Sequence, residues 1–81
     1  MVRIYTEDKN RDSIEAFALL FADGFTVLPG TGYWKGTKEA SICLLIDIDI
    51  ESGRQLAGLI RNANNQEAVG LVYTEERFEL V

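Results

Sequence analysis

Tyr33 and Trp34 stand side by side in GTGYWKG, residues 30–36, and lysines follow at positions 35 and 38. An aromatic ring offers a π-face to a base and an ammonium offers charge to a phosphate, so this cluster has the chemistry to hold a nucleotide-like anion. The glycines at 30, 32 and 36 free backbone N–H groups and let a ligand come close. Their spacing matches neither of the glycine patterns that cradle phosphates ahead of a helix. The same residues also have a plainer use, in which Trp34 closes an interface or the end of the core and the glycines serve a bulge. Adjacent strand residues point to opposite faces, so one ring packs while the other is exposed.

A second polar group lies at NNQE, residues 64–67. Asn65, Gln66 and Glu67 can read hydrogen-bonding edges of a ligand. Alternatively, an asparagine ends a helix in the left-handed conformation and Gln66 bonds nearby backbone. If this corner meets the aromatic turn of a second copy, the two segments form one site across a dimer.

Other chemistry is sparse. Asp47, Asp49 and Glu51 share one face of a regular strand, a row that can bind magnesium or simply form a solvated strand end that starts the next helix. Ser13, Ser41 and Ser52 have no histidine to activate them, because the chain contains none. The single cysteine, Cys43, sits in the apolar run SICLLIDI and reads as a buried, inert thiol. One cysteine and no histidine exclude an intrachain disulfide and argue against structural zinc. The sequence therefore predicts no catalytic residue, no metal and no cofactor.

These residues need a scaffold, and 81 residues allow one domain, residues 1–81. VRIYTED (2–8) reads as a first strand. In NRDSIEAFALLFADG (10–24), Ile14, Phe17, Ala18 and Phe21 mark one face of a helix, with Asp12 and Glu15 at capping-box spacing, Asn10 as a competing cap and Gly24 as its end. FTVLPGTGYW (25–34) reads as a strand that Pro29 confines to an edge. KGTKE (35–39) reads as the turn into ASICLLIDIDI (40–50), where Ile42, Leu44, Ile46, Ile48 and Ile50 alternate with their neighbours. ESGRQLAGLIRNANN (51–65) reads as a second helix opened by Ser52 and Gln55. EAVGLVYTEERFELV (67–81) gives a strand, a charged turn and a short terminal strand. The order β-α-β-β-α-β is the ferredoxin-like split βαβ arrangement, an α+β fold with two helices on one face of a mainly antiparallel sheet in strand order 4-1-3-2. The sheet's other face lacks helices, and apolar residues there imply a partner. A second copy is the expected one, giving a homodimer or larger homo-oligomer.

Composition narrows the function. A net charge of −5 argues against an electrostatic nucleic-acid binder, which needs a basic face. No apolar run reaches membrane-spanning length, and MVRIYTEDKN lacks a signal-peptide core, so a cytoplasmic protein without a membrane partner is expected.

DGFTVLPGTGYWKGTKEAS (23–41), NNQEAVGLV (64–72) and the opening RIYTEDKNR together resemble a group of small proteins carried by bacteriophages and prophages. More distantly they are similar to a bacterial family of unassigned function, in a glycine-tryptophan turn and a late glutamine-glutamate pair. The resemblance runs through Gly32, Tyr33, Trp34, Gly36, Glu39, Gln66 and Glu67. It implies a viral setting, the host cytoplasm, and an accessory or anti-defence role. Combined with the residue chemistry, it predicts a non-catalytic phage protein that sequesters a small nucleotide-like anion. Trp34 or Tyr33 would stack on the ligand, Lys35 and Lys38 would meet its phosphates, and Asn65, Gln66 and Glu67 would read its polar edge. The alternatives are an inhibitor that binds a host defence protein directly and a purely structural oligomer.

Overall fold

Alternation decides the central strands. In β1 (Val2–Glu7), Val2, Ile4 and Thr6 are buried while Arg3 and Tyr5 are exposed. In β3 (Thr37–Ile46), Ile42, Leu44 and Ile46 are buried and Cys43 and Leu45 are half-buried. β1 lies between β3 and β4 (Gly70–Thr74), with Ile4 opposite Leu44 on one side and Leu71 on the other. The edges are β2 (Phe25–Trp34), beside β3, and β5 (Arg77–Leu80), beside β4. The result is a five-stranded antiparallel sheet in the order β2-β3-β1-β4-β5, the expected order with the terminal strand added. This computed structural model describes every residue except Glu75 and Glu76, together with all side chains but theirs and that of Thr74. The charged turn expected before the last strand lies outside the described residues.

α1 (Arg11–Leu19) and α2 (Ile50–Asn64) cover one face, giving the ferredoxin-like α+β fold. Ile14 and Ala18 from α1 and Leu56, Ala57 and Ile60 from α2 pack on Val2, Ile4, Ile42, Leu44, Ile46 and Leu71 of the sheet. Each large aliphatic side chain so buried contributes about 1.5–3 kcal/mol from loss of water contact. Gly53 lets α2 settle closely: a Cβ there would stand 3.3 Å from Leu71 Cδ1 and 3.4 Å from Val2 Cγ2. Across the helix layer, Arg54 holds Glu79 of β5 through two hydrogen bonds of 2.8 and 3.0 Å and also pairs with Glu51. Among the described residues, no helix is long and apolar enough to cross a membrane.

Several boundaries differ from the sequence reading. β3 begins at Thr37 and stops at Ile46. Asp49 then leaves the sheet and caps α2, its carboxylate accepting the Ser52 N–H at 2.7 Å, so neither the Ser52–Gln55 capping box nor the Asp47–Asp49–Glu51 strand face forms. Helix α1 ends at Leu19, before Gly24. Asn10 occupies its N-cap position with a left-handed backbone (φ 57°) and makes no side-chain cap; its amide donates to the Ala63 carbonyl of α2 at 3.2 Å.

Candidate functional site

The site begins with a tight turn. Lys35 (φ 50°) and Gly36 (φ 81°) both have positive φ, the geometry of a two-residue hairpin turn. β2 and β3 thus pair from Phe25–Ile46 to Trp34–Thr37, while β1 accompanies β3 only as far as Ser41. The hairpin tip overhangs the end of β1, tied by the Asp8 N–H to the Ala40 carbonyl at 2.9 Å. At the opposite side, Asn65 ends α2 with a left-handed backbone (φ 53°), and the Gln66 N–H returns to the Arg61 carbonyl at 2.9 Å. This reversal brings residues 66 and 67 towards the overhanging hairpin.

The two segments meet. Glu67 Oε1 accepts from Lys35 Nζ at 2.8 Å and Oε2 accepts from Trp34 Nε1 at 3.3 Å. These bonds, Lys35 first and Trp34 second, hold the Glu67 carboxyl below its ordinary range. The Lys35 ammonium also stands 5.9 Å from the centroid of the Trp34 ring, which is therefore a face that already attracts a cation.

Beneath this latch lies a cleft of about 510 Å³, within the roughly 300–1,000 Å³ range of small-molecule pockets. Its walls combine the rings of Tyr5, Trp34 and Phe78 with the carboxylates of Glu7, Glu39 and Glu67. Gly70 forms part of the floor, and a Cβ there would stand 2.9 Å from the Phe78 ring, so glycine lets that ring lie over the strand. Burial, with Cys43 as the next cause, keeps the Tyr5 phenol above its ordinary value, so it stays protonated at neutral pH.

The inner end of the cleft is an amide network. Gln66 Oε1 accepts from Thr6 Oγ1 at 2.5 Å and from Asn64 Nδ2 at 2.8 Å. Asn64 is fully buried, and its Oδ1 accepts from Asn10 Nδ2 at 3.4 Å.

Of the residues expected from sequence, Tyr33, Trp34, Asn65, Gln66 and Glu67 line this one cleft within a single chain. Lys35 sits at its rim as the partner of Glu67. Lys38 does not line it, although strand pairing sets it opposite Tyr33, which does. Tyr33 is 71% exposed and Trp34 37%, so neither ring packs in the core, and Trp34 is the less exposed of the two. Tyr5, Glu7 and Phe78 were missed, while Glu39 was named only for the resemblance and Asn64 only as a candidate helix end. Asn64 carried a signal, since it continues the buried stripe Leu56–Ile60 by four residues and is polar where that stripe demands an apolar side chain. Among the described residues, no group of three metal-ligating side chains comes together.

Comparison with known proteins adds one finding. No family model matches the chain, and no curated protein matches it. Among solved structures, a phage SAM lyase in its apo state superposes with a TM-score of 0.76 at 15% identity, covering 99% of this chain and 86% of that one. The two share a fold, and that fold occurs in a phage protein. The particular motifs linked above to phage proteins, and the wider bacterial family, find no support. The expectation of a non-catalytic sequestering protein is overturned, because the matching fold is that of an enzyme. The exclusion of catalysis rested on missing serine–histidine chemistry, and a lyase does not require it.

Proposed function

We propose that the protein is a phage-encoded lyase that binds SAM (S-adenosylmethionine) in this cleft and cleaves it. The observation that carries the reading is the fold shared with a phage SAM lyase over nearly the whole chain. The cleft's chemistry supports it. SAM combines a sulfonium cation, a carboxylate and an adenine ring. Aromatic faces attract cations, and those of Trp34, Tyr5 and Phe78 supply apolar walls.

The reaction suits a chain without histidine. The substrate's own carboxylate oxygen attacks its Cγ, the Cγ–S bond breaks and its electron pair moves to sulfur. The products are methylthioadenosine and homoserine lactone. No proton is transferred and no water is consumed, so neither a general base nor a protein nucleophile is needed. The protein must fold the substrate so that the carboxylate reaches Cγ and must keep water away. A cation and an anion annihilate in this step, so an apolar surrounding favours it over bulk water.

Incubating the purified protein with SAM and following the mixture by liquid chromatography and mass spectrometry tests the reading. Loss of SAM with matching methylthioadenosine is expected. Trp34→Leu is expected to lower kcat/KM about thirtyfold, the equivalent of a desolvated cation–π contact of about 2 kcal/mol. Intact SAM after prolonged incubation would overturn the assignment.

The same reading includes self-association. Tyr5, Leu28, Cys43, Leu45, Phe78 and Leu80 form an apolar sheet face opposite the helices, and the cleft opens onto it. The molecule measures 33 × 30 × 20 Å, so this face offers the roughly 800 Å² per partner that a stable interface uses. A second copy is the proposed occupant, and native mass spectrometry gives the subunit count directly; a strictly monomeric protein would remove this part of the proposal.

A further inference from the structure

Two backbone carbonyls fix the orientation of the two asparagine amides in the network. Asn10 Nδ2 faces the Ala63 carbonyl at 3.2 Å, and a carbonyl can only accept. The nitrogen end of Asn10 is therefore settled, and it also faces Asn64 Oδ1 at 3.4 Å. Asn64 Nδ2 in turn faces the Glu7 carbonyl at 3.4 Å, which requires the same orientation independently. With both ends agreeing, Asn64 must present its NH2 to Gln66, and the acceptor at 2.8 Å must be the Gln66 oxygen. Thr6 Oγ1 adds a second donor to that oxygen. Turning the Gln66 amide over would set NH2 against NH2 at 2.8 Å and leave the Asn64 NH2 only its two longer acceptors at 3.4 Å, Thr6 Oγ1 and the Glu7 carbonyl, which is costly.

The consequence lies on the other side of the amide. Gln66 lines the cleft, its oxygen is occupied twice, and its Nε2 has no protein partner among the described residues. We propose that Asn64, fully buried at the inner end of the cleft, is a positioning residue that locks Gln66 with its NH2 towards the ligand, so that this end of the cleft reads a hydrogen-bond acceptor. Gln66 is then a specificity residue for an acceptor atom of the substrate, and Asn64 acts through it. The role of the site as a SAM site comes from the reading above; the orientation of Gln66 does not depend on it.

The experiment is nitrogen-15 NMR of the side-chain amides, first without ligand. Asn64 Nδ2 protons are expected to exchange slowly and Gln66 Nε2 protons at close to the free rate. In Asn64→Asp, an oxygen replaces the Asn64 donor, so Gln66 turns over and its NH2 becomes protected. Free exchange at Asn64, or protected Gln66 protons in the unaltered protein, would overturn the lock whatever the ligand is. A titration with SAM then reads the function: the Gln66 Nε2 resonances shift and Asn64→Asp raises KM about tenfold with kcat little changed, the loss of one oriented hydrogen bond. SAM that binds and leaves the Gln66 resonances unmoved would overturn the specificity role. SAM that fails to bind would sink the lyase reading and leave the exchange result standing. Asn64→Asp buries a carboxylate and can unfold the chain, so Gln66→Glu provides a second test. Its carboxylate keeps both donors from Thr6 and Asn64 and offers only an acceptor to the cleft. An unchanged Tm with weakened SAM binding is expected; a Tm loss without any binding defect would make Gln66 purely structural.

Discussion

The two faces of the sheet are built on different terms. On the helix side, Val2, Ile4, Ile42, Leu44, Ile46 and Leu71 are all at most 1% exposed and belong to one apolar cluster. On the opposite side, Tyr5, Leu28, Phe78 and Leu80 are 40–61% exposed, with glycines and carboxylates among them. One face is specified by packing and holds the fold. The other keeps apolar surface in water, which a small protein tolerates when that surface serves assembly or a ligand. Close apolar packing and exposed apolar surface are therefore separated across one strand thickness, and neighbouring residues on β3 fall on opposite sides of the division.

The sharpest way to break this contrast is a pair of substitutions one residue apart. Leu44→Ala removes a fully buried side chain and is expected to cost about 2–5 kcal/mol. Leu45→Ala acts on the open face, where the side chain is only half-buried, and should cost a fraction of that in a monomer. Urea unfolding at several protein concentrations measures both. If assembly uses the open face, the unaltered protein gains stability with concentration and Leu45→Ala loses that dependence. Equal losses for the two variants, independent of concentration, would end the distinction.

A smaller effect separates the hairpin from the sheet that carries it. Gly36→Ala forces a Cβ into a left-handed turn position (φ 81°) and is expected to cost about 1–2 kcal/mol. Gly36→Asn should recover most of it, since asparagine tolerates this conformation. The damage should be local. Hydrogen exchange quickens at the hairpin tip and the Trp34–Glu67 contact weakens, while the amides of β1 and β3 beside Leu44 stay protected. A uniform loss of protection would mean that the overhang is part of the core's cooperative unit.

The helix face was readable in the sequence because its signal is periodic. The alternation of Ile42, Leu44 and Ile46 and the spacing of Leu56 and Ile60 report burial directly, and Pro29 correctly marked the edge. What fixed the order of the strands was the same pattern joined to the two helical segments. The site was only partly readable. Trp34, Gln66 and Glu67 were singled out by residue type, yet their meeting within one chain depends on how far β2 and β3 outrun β1. That overhang follows from strand register, which no local pattern states. The sequence pointed to a contact between two copies for the same reason. The cap of α2 was misplaced because the isoleucines at 48 and 50 prolong the strand pattern past the point where Asp49 takes up the helix. The expectation of no catalysis rested on the lack of a nucleophile, and the fold shared with a phage SAM lyase stands against it.

The smallest effect tests the latch alone. Glu67 is ionised and its carboxyl is held below the ordinary value of 4.5, chiefly by Lys35 and then by Trp34. A carboxyl lowered in the folded state contributes stability that is present above its unfolded value and is lost as pH falls through the folded value. The latch should therefore hold at neutral pH and open only below 4.5. Trp34 is the sole tryptophan, so its fluorescence reports the contact without interference. A titration downward from neutral pH should show a transition below 4.5 that Glu67→Gln abolishes. Asp8, Asp49 and Glu79 also have lowered carboxyl values and respond in the same region, so circular dichroism recorded in parallel separates opening of the latch from loss of helix. Added salt should move the transition upward, because screening weakens the attraction between Lys35 and Glu67. A fluorescence change that tracks the loss of helix point for point, and persists in Glu67→Gln, would mean that Trp34 follows the helix-covered core rather than the latch, and the two faces would not be independent after all.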